Sequence, residues 1–405
     1  MKIGILRETK APPDRRVPLT PGQCKQLLAM FPGTGLVVQP SLNRCFSDAE
    51  YREAGVKLQE NLRDCDILMG VKEVDLPALI GHKTYLFFSH TAKEQPYNRR
   101  LLQEISRMHI TLVDYEYLVR TDHSRVVAFG RWAGVVGAYN GLRALGERTG
   151  AFALRPAWML SGLEEMITDL ANLPVEHTRI VLTGGGRVAH GAMEILRAAG
   201  IREVTPMAYL ADDNVETRFC RLDPWHYARH IHDLDFNFDH FIEHPDAYKN
   251  AFHPYAGKSD MYIACHFWDP RSPELLSRED LQDPELPIRV IADISCDIDG
   301  PIASTIRPST IADPFYGYDP ASGKEAGEPF RNDVITVMAV DNLPGELPRD
   351  ASRDFGEALL KNVLPPLLGD DREGIVHRAT ITRNGELTEL FSYLEDYLKG
   401  SPGNQ

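Results

Sequence analysis

No apolar run in the sequence approaches the ~18 residues needed to cross a bilayer, and no block of basic residues appears anywhere. With 44 Lys and Arg against 58 Asp and Glu, the formal net charge of −14 argues against nucleic acid or an anionic membrane as a partner. Cysteine is sparse: the six residues, at 24, 45, 65, 220, 265 and 296, never form a CxxC pair, and a chain of this size needs no disulfide staples. They read as free thiols of a cytoplasmic protein. Met1-Lys2 runs straight into the strand-like Ile3-Gly4-Ile5-Leu6, and charge resumes at Arg7, which leaves no room for a signal-peptide core. Repeats and low-complexity tracts are also missing, so solenoid architectures are excluded.

What is present is an ordinary globular composition. The 405 residues, 43% hydrophobic and 25% charged, suit two domains of about 150 to 200 residues each. Strand and helix signals alternate along most of the chain, which predicts a mostly parallel sheet in each domain. Thr20-Pro21 is an N-cap followed by proline at the first helical place. Phe315–Pro329 reads as loop.

One stretch carries a recognisable chemistry. Arg179-Ile180-Val181-Leu182-Thr183 is an apolar strand that runs into Gly184-Gly185-Gly186 and then into a helix through Arg187, Val188 and Ala189. Gly184-x-Gly186-x-x-Ala189 is the dinucleotide fingerprint with alanine in its third place. Gly184 permits the turn, Gly186 lets backbone approach a pyrophosphate, and Ala189 lets the helix lie close to the sheet. Exposed N–H groups and the helix dipole favour phosphate there. An acid near the end of the next strand would bind the adenosine ribose, yet Met207, Ala208 and Tyr209 stand where that strand is expected, with Asp212 and Asp213 late. Arg187 or Arg202 would suit a 2′-phosphate, so the choice between NAD and NADP stays open with a slight lean to NADP. Asp293, at the end of Ile288–Ala292, points at the same crevice.

The remaining ionisable groups gather where strands of the first part end. Arg7, Lys10, Arg15 and Arg16 follow the first strand, Lys72 follows Ile67–Val71, and His90 follows Thr84–Phe88. Basic residues in a turn are ordinarily a solvated face. At corresponding ends of neighbouring parallel strands they would instead face one ligand, and arginine's planar fork suits a carboxylate. A lysine depressed by neighbouring cations and a histidine make a plausible acid–base pair. The segment from 211 to 259 is rich in histidine (226, 230, 232, 240, 244, 253), but no third ligand sits at a zinc-motif spacing, so no metal is expected.

These residues carry a family resemblance. Leu6-Arg7-Glu8-Thr9-Lys10 with Asp14–Pro21, Gly70-Val71-Lys72, Lys83–Lys93, Asp114-Tyr115-Glu116, Arg125–Gly134 and Asp341-Asn342-Leu343-Pro344 resemble the lysine-forming saccharopine dehydrogenases and the lysine–ketoglutarate reductase part of the aminoadipic semialdehyde synthases. Both lie within the alanine dehydrogenase-like superfamily. The resemblance implies an α/β fold of two Rossmann-like doubly wound parallel-sheet domains with the active site in the cleft between them. It places 1–137 with 330–405 in a substrate domain, and 138–329 in an NAD(P) domain with a His-rich insertion at about 211–259. It implies reversible reductive condensation of L-lysine with 2-oxoglutarate to saccharopine. Another opine-type or alanine dehydrogenase-like enzyme acting on a different amine and 2-oxo acid is the alternative. On matching positions, Lys72 and His90 become the acid–base pair and Glu73 and Glu116 tune them. Arg16 and Arg125, with Arg15 and Lys10 nearby, meet substrate carboxylates, while Gly184, Gly186, Arg187, Val188, Ala189 and Asp293 hold the cofactor. Fungal members carry a cysteine where Val188 stands, so no disulfide is expected at that turn. The chain's single module implies that the saccharopine-cleaving activity of the bifunctional relatives is missing. Its partners are then small molecules, and homo-oligomerisation stays open.

Overall fold

The computed structural model describes residues 1–11, 14–211 and 216–400, which leaves the Pro12-Pro13 turn and the late acids Asp212 and Asp213 outside the described residues. Contacts divide the chain into two units, Met1–Phe129 with Pro348–Gln405, and Gly130–Leu347.

In the first unit the strands β1 (Lys2–Ile5), β2 (Gly35–Val38), β3 (Lys57–Leu58), β4 (Ile67–Met69), β5 (Thr84–Phe87) and β6 (Thr111–Asp114) pair in parallel in the order β6-β5-β4-β1-β2-β3. Ile3 lies opposite both Leu36 and Ile67, so buried residues of three strands lie side by side across the sheet. Their short runs of Ile, Leu and Val, without polar alternation, suit strands covered on both faces. Thr380–Arg383 from the returning carboxy-terminal segment runs antiparallel on β6, and Glu386–Leu387 folds back on it, completing an eight-stranded sheet among the described residues. Thr20 closes the capping box of the Pro21–Met30 helix: its hydroxyl accepts from Gln23 N while Gln23 Oε1 accepts from Thr20 N at 2.9 Å. Because the strands are parallel, the residues after Ile5, Met69, Phe87 and Asp114 emerge at one edge.

The second unit holds β7 (Arg179–Thr183), β8 (Arg202–Val204), β9 (Arg218–Leu222), β10 (Ala228–His230), β11 (Tyr248–Asn250), β12 (Met261–Ala264), β13 (Val290–Asp293), β14 (Phe315–Asp319), β15 (Lys324–Ala326) and β16 (Ile335–Met338). Its main sheet has the order β15-β14-β16-β13-β12-β7-β9-β8. Within it β16, β13, β12, β7, β9 and β8 are parallel, and β14 pairs antiparallel with both β16 and β15. The chain is thus α/β, with two Rossmann-like units whose sheets are mostly parallel.

Several sequence expectations are corrected here. Phe315–Pro329 is not a loop: β14 and β15 pair across a turn closed by Gly323 in the left-handed region (φ +67). The strand near Val334–Val340 belongs to the second unit, because β16 pairs with β13 and β14; the boundary therefore falls at Leu347/Pro348 rather than 329/330, and at Phe129/Gly130 rather than 137/138. The strand beside β7 is β9, while β8, where the second strand was expected, lies at the sheet edge. The insertion is accordingly shorter than 211–259. Its β10–β11 pair and the short helices flanking it bury Tyr227, Tyr248, Phe252 and Tyr255 in the core of this unit.

The Gly130–Thr149 helix packs on the Arg187–Ala198 helix at backbone distance. A Cβ on Gly134 would lie 1.9 Å from Val188 O, and one on Gly191 would lie 2.1 Å from Arg131 O. Glycine at both crossing positions is what permits the approach. Arg131 then clamps the pair through a fork to Glu194, Nε to Oε2 at 3.0 Å and Nη2 to Oε1 at 2.9 Å.

Candidate active site

The strand ends of the first unit build a hydrogen-bonded charge cluster. The His90 ring Nδ1 meets Glu73 Oε1 at 2.6 Å, and Lys10 Nζ donates to Glu73 Oε2 at 2.9 Å. Burial pushes the Glu73 carboxyl up, but these two partners outweigh it and hold the group down at about 2, ionised at any neutral pH. His90 occupies the left-handed region (φ 53), in the turn that follows β5. That turn is pinned by the fully buried Asp114, whose Oδ2 accepts from Ser89 N at 3.0 Å and Ser89 Oγ at 2.5 Å, while its Oδ1 accepts from Glu116 N at 2.8 Å. One carboxylate therefore sets the position of both His90 and Glu116.

Lys72 sits one residue from Glu73. Its ammonium makes no hydrogen bond among the described residues, and its pKa is lowered first by burial and then by Arg16, against the opposing pull of Asp14 and Glu73. Its backbone is fixed by Glu8, whose carboxylate accepts from Val71 N at 2.7 Å and Lys72 N at 2.9 Å; burial raises Glu8 to about 7. Arg16 is 3% exposed. It spends Nε and Nη2 on Asp14, at 3.0 and 2.6 Å, and lies 4.2 Å above the Phe129 ring. Arg16 therefore acts on Lys72 as a buried charge with its fork engaged. Glu116 pairs through Oε1 with Arg125 at 2.8 Å and Lys93 at 3.1 Å, and its buried Oε2 has no partner among the described residues. Burial raises its pKa, and Lys93 and Arg125 more than reverse this. Arg15 stands apart: its side chain is exposed, and its carbonyl accepts from Cys45 N at 2.8 Å. Phe88 stacks on the His90 ring at 6.4 Å and joins Tyr115, Phe129 and Phe355 in an aromatic layer beneath the cluster.

The glycine turn of the second unit has the geometry of a cradle. Gly184 has φ +110, and a Cβ there would meet Cys265 O at 2.6 Å. A Cβ on Gly185 would lie 2.6 Å from Asp223 Oδ1, whereas Gly186 faces open space. Gly186 is the N-cap of the Arg187–Ala198 helix and uses no side chain, so the first N–H groups stay available to a ligand. Arg187 is exposed, Val188 turns its carbonyl towards the Gly130–Thr149 helix, and Ala189 is fully buried. Asp293 does not present a carboxylate to this turn. It is fully buried, with Oδ1 accepting from Ser295 N, Ser295 Oγ and Cys296 N, and Oδ2 accepting from Thr305 Oγ1 at 2.7 Å. It shapes the loop after β13.

Residues 4–136 match the model of the alanine dehydrogenase/PNT amino-terminal domain. The chain is 32% identical to an alpha-aminoadipic semialdehyde synthase of Arabidopsis thaliana, over 99% of its own length and 42% of that protein. It is 27% identical to a saccharopine dehydrogenase [NAD(+), L-lysine-forming] of Neurospora crassa, over 87% of each. The chain is thus similar to these two enzymes over nearly its whole length, and to the domain model over about its first third. A solved L-alanine dehydrogenase shares the fold, with a TM-score of 0.68 at 17% identity and 99% coverage of both chains. The chain spans about half the length of the semialdehyde synthases it matches.

Two features around the turn escaped sequence reasoning. An acid, missing near Tyr209, stands instead at Asp223, with Oδ1 2.6 Å from where a Cβ on Gly185 would lie. It ends β9, beside the glycine strand, and accepts from Arg221 Nη1 at 2.5 Å. The signal was legible as Phe219-Cys220-Arg221-Leu222 followed by Asp-Pro, but that run had been assigned to the insertion. His266 follows β12, with Nδ1 2.7 Å from Thr183 Oγ1; burial pushes its pKa down to about 4, and its buried Nε2 has no partner among the described residues. Among the described residues, no helix is long and apolar enough to cross a membrane.

Proposed function

We propose that this chain is an NAD(H)-dependent amino-acid dehydrogenase that condenses L-lysine with 2-oxoglutarate reversibly to saccharopine. One observation carries the reading: a half-buried lysine, depressed by burial and by a neighbouring guanidinium, stands beside a histidine–carboxylate pair. The names of the relatives supply the substrates.

The residues suit the steps. The amine of lysine adds to the oxo carbon, forming the C–N bond, and His90 gives a proton to the departing hydroxyl so that water leaves and an imine remains. The bound nicotinamide supplies the hydride that reduces the imine carbon, or removes it in the reverse direction. Lys72 exchanges the proton at the substrate nitrogen; in the oxidative direction it must start neutral, which its lowered pKa favours. Glu73 stays ionised and holds the His90 ring in place through Nδ1. Arg125 and Lys93, half-exposed around Glu116, are the cations best placed to meet substrate carboxylates, whereas Arg16 tunes Lys72.

The cradle fits a dinucleotide: Gly184 and Gly185 are positions where a Cβ would collide, and the helix N-terminus is open beyond Gly186. Asp223 at the end of β9 suits a ribose diol and repels a 2′-phosphate, so the reading is NAD rather than NADP. The test follows oxidation of NADH and NADPH with 2-oxoglutarate plus lysine, or plus ammonia. Turnover with NADH and lysine is the expected outcome; activity with ammonia alone overturns the lysine assignment.

A further inference from the structure

At the ends of β7, β12 and β13 remote from the glycine turn, the second unit carries a separate concentration of positive charge. A cavity of about 610 Å³ is lined there by Arg148, Thr149, His177, Asp260, Arg289 and Asn332, among others. Ligands of open parallel sheets ordinarily lie at the other edge, so this cavity is distinct from the dinucleotide cradle. The five residues of β7 separate the two by about 15 Å.

Arg148 lies in the last turn of the Gly130–Thr149 helix, half-buried, and donates through Nη1 to Thr336 Oγ1 at 2.9 Å. Arg289 immediately precedes β13 and donates through Nη1 to the carbonyls of Leu286 at 2.6 Å and Ile288 at 2.9 Å. All of these acceptors are neutral. Neither guanidinium forms an ion pair with a carboxylate among the described residues, although Asp333 attracts Arg148 and Asp260 attracts Arg289 at longer range. The two are also close enough to repel: burial first, and then Arg289, pushes Arg148 below its ordinary value. Of the acids on the wall, Asp260 accepts from Arg179 N at 2.8 Å and Glu176 is exposed. A pair of like charges facing one cavity, with two further nitrogens of each fork uncommitted, is stabilised by a shared counter-ion with several oxygens.

We propose that this cavity binds a small oxyanion of the phosphate or short-dicarboxylate class, held between the guanidinium groups of Arg148 and Arg289. The nitrogens left over from the bonds to Thr336 and to the Leu286 and Ile288 carbonyls would hold the anion, and exposed Asn332 adds a neutral amide donor.

The test is calorimetric titration of the whole protein, in a buffer free of phosphate and carboxylate, with inorganic phosphate and separately with succinate. At least one should bind saturably, and its affinity should fall about tenfold or more in Arg148→Gln and in Arg289→Gln. Arg187→Gln at the glycine turn should leave that binding in place, which separates it from phosphate held at the helix N-terminus. Without anion, Arg148→Gln should melt no lower than the parent, because repulsion from Arg289 is relieved; a merely structural Arg148 predicts a lower melting temperature. If Arg148→Gln does not fold, the exposed Arg289→Gln variant decides alone. Absence of saturable binding by both anions, or unchanged affinity in the Arg289 variant, overturns the site.

Discussion

The strand ends of the first unit and the glycine turn of the second solve opposite problems. Around Lys72, side chains carry everything: each carboxylate is claimed by a cation or by backbone N–H groups, and their balance sets the state of one lysine. At Gly184–Gly186 there are no side chains, and open backbone lies beside one acid that follows β9. A charge cluster of the first kind tolerates a change of backbone but not of ionisation. A cradle of the second kind tolerates the reverse, so the two regions should fail in different observables.

The sharpest separation comes from Lys72→Met. Turnover should fall by about 10² to 10⁴, the scale of a lost proton-transfer group, and the pH dependence of the oxidative reaction, which should rise with pH as Lys72 loses its proton, should flatten. NADH affinity, read by fluorescence titration, should stay within about twofold. Loss of NADH binding in this variant would break the proposed division of labour.

Gly184→Val is the converse. It places a β-branched residue at φ +110 against Cys265 O, so melting and NADH titration should together report a loss of ~2–4 kcal/mol. Parent-like NADH affinity would show that the turn is not the cradle.

Glu73→Gln tests the electrostatics of the first region through stability. The folded pKa of Glu73, about 2, lies below its ordinary 4.5. Its ionised form therefore stabilises the fold above pH 4.5, by ~2–3 kcal/mol, and that contribution is lost as pH falls towards 2. Chemical denaturation of parent and variant should diverge at pH 7 and converge near pH 2. A constant difference across that window would mean that the hydrogen bonds, rather than the charge, stabilise the cluster.

The smallest effect is expected of Asp223→Ser. Removing the carboxylate beside Gly185 should shift the NADH:NADPH preference by about tenfold towards NADPH. An unchanged ratio would remove Asp223 from cofactor choice.

Much of this was legible along the chain. The Gly184–Ala189 spacing, the Thr20-Pro21 cap and the placement of Lys72 and His90 after parallel strands are local patterns, set by φ limits, capping and strand polarity that act within a few residues. The alternation of strand and helix likewise determined an α/β chain with parallel sheets. What the sequence could not decide was which strand lies beside which. The acid next to the glycine turn is Asp223 because β9, and not β8, pairs with β7, and β16 joins the second sheet although it lies close to the returning segment. The engagement of Glu73 by His90, and of Glu8 by the Val71 and Lys72 N–H groups, was hidden for the same kind of reason. A buried guanidinium or carboxylate takes whichever counter-group the fold brings within about 3 Å, and that distance is set by packing across the sheet.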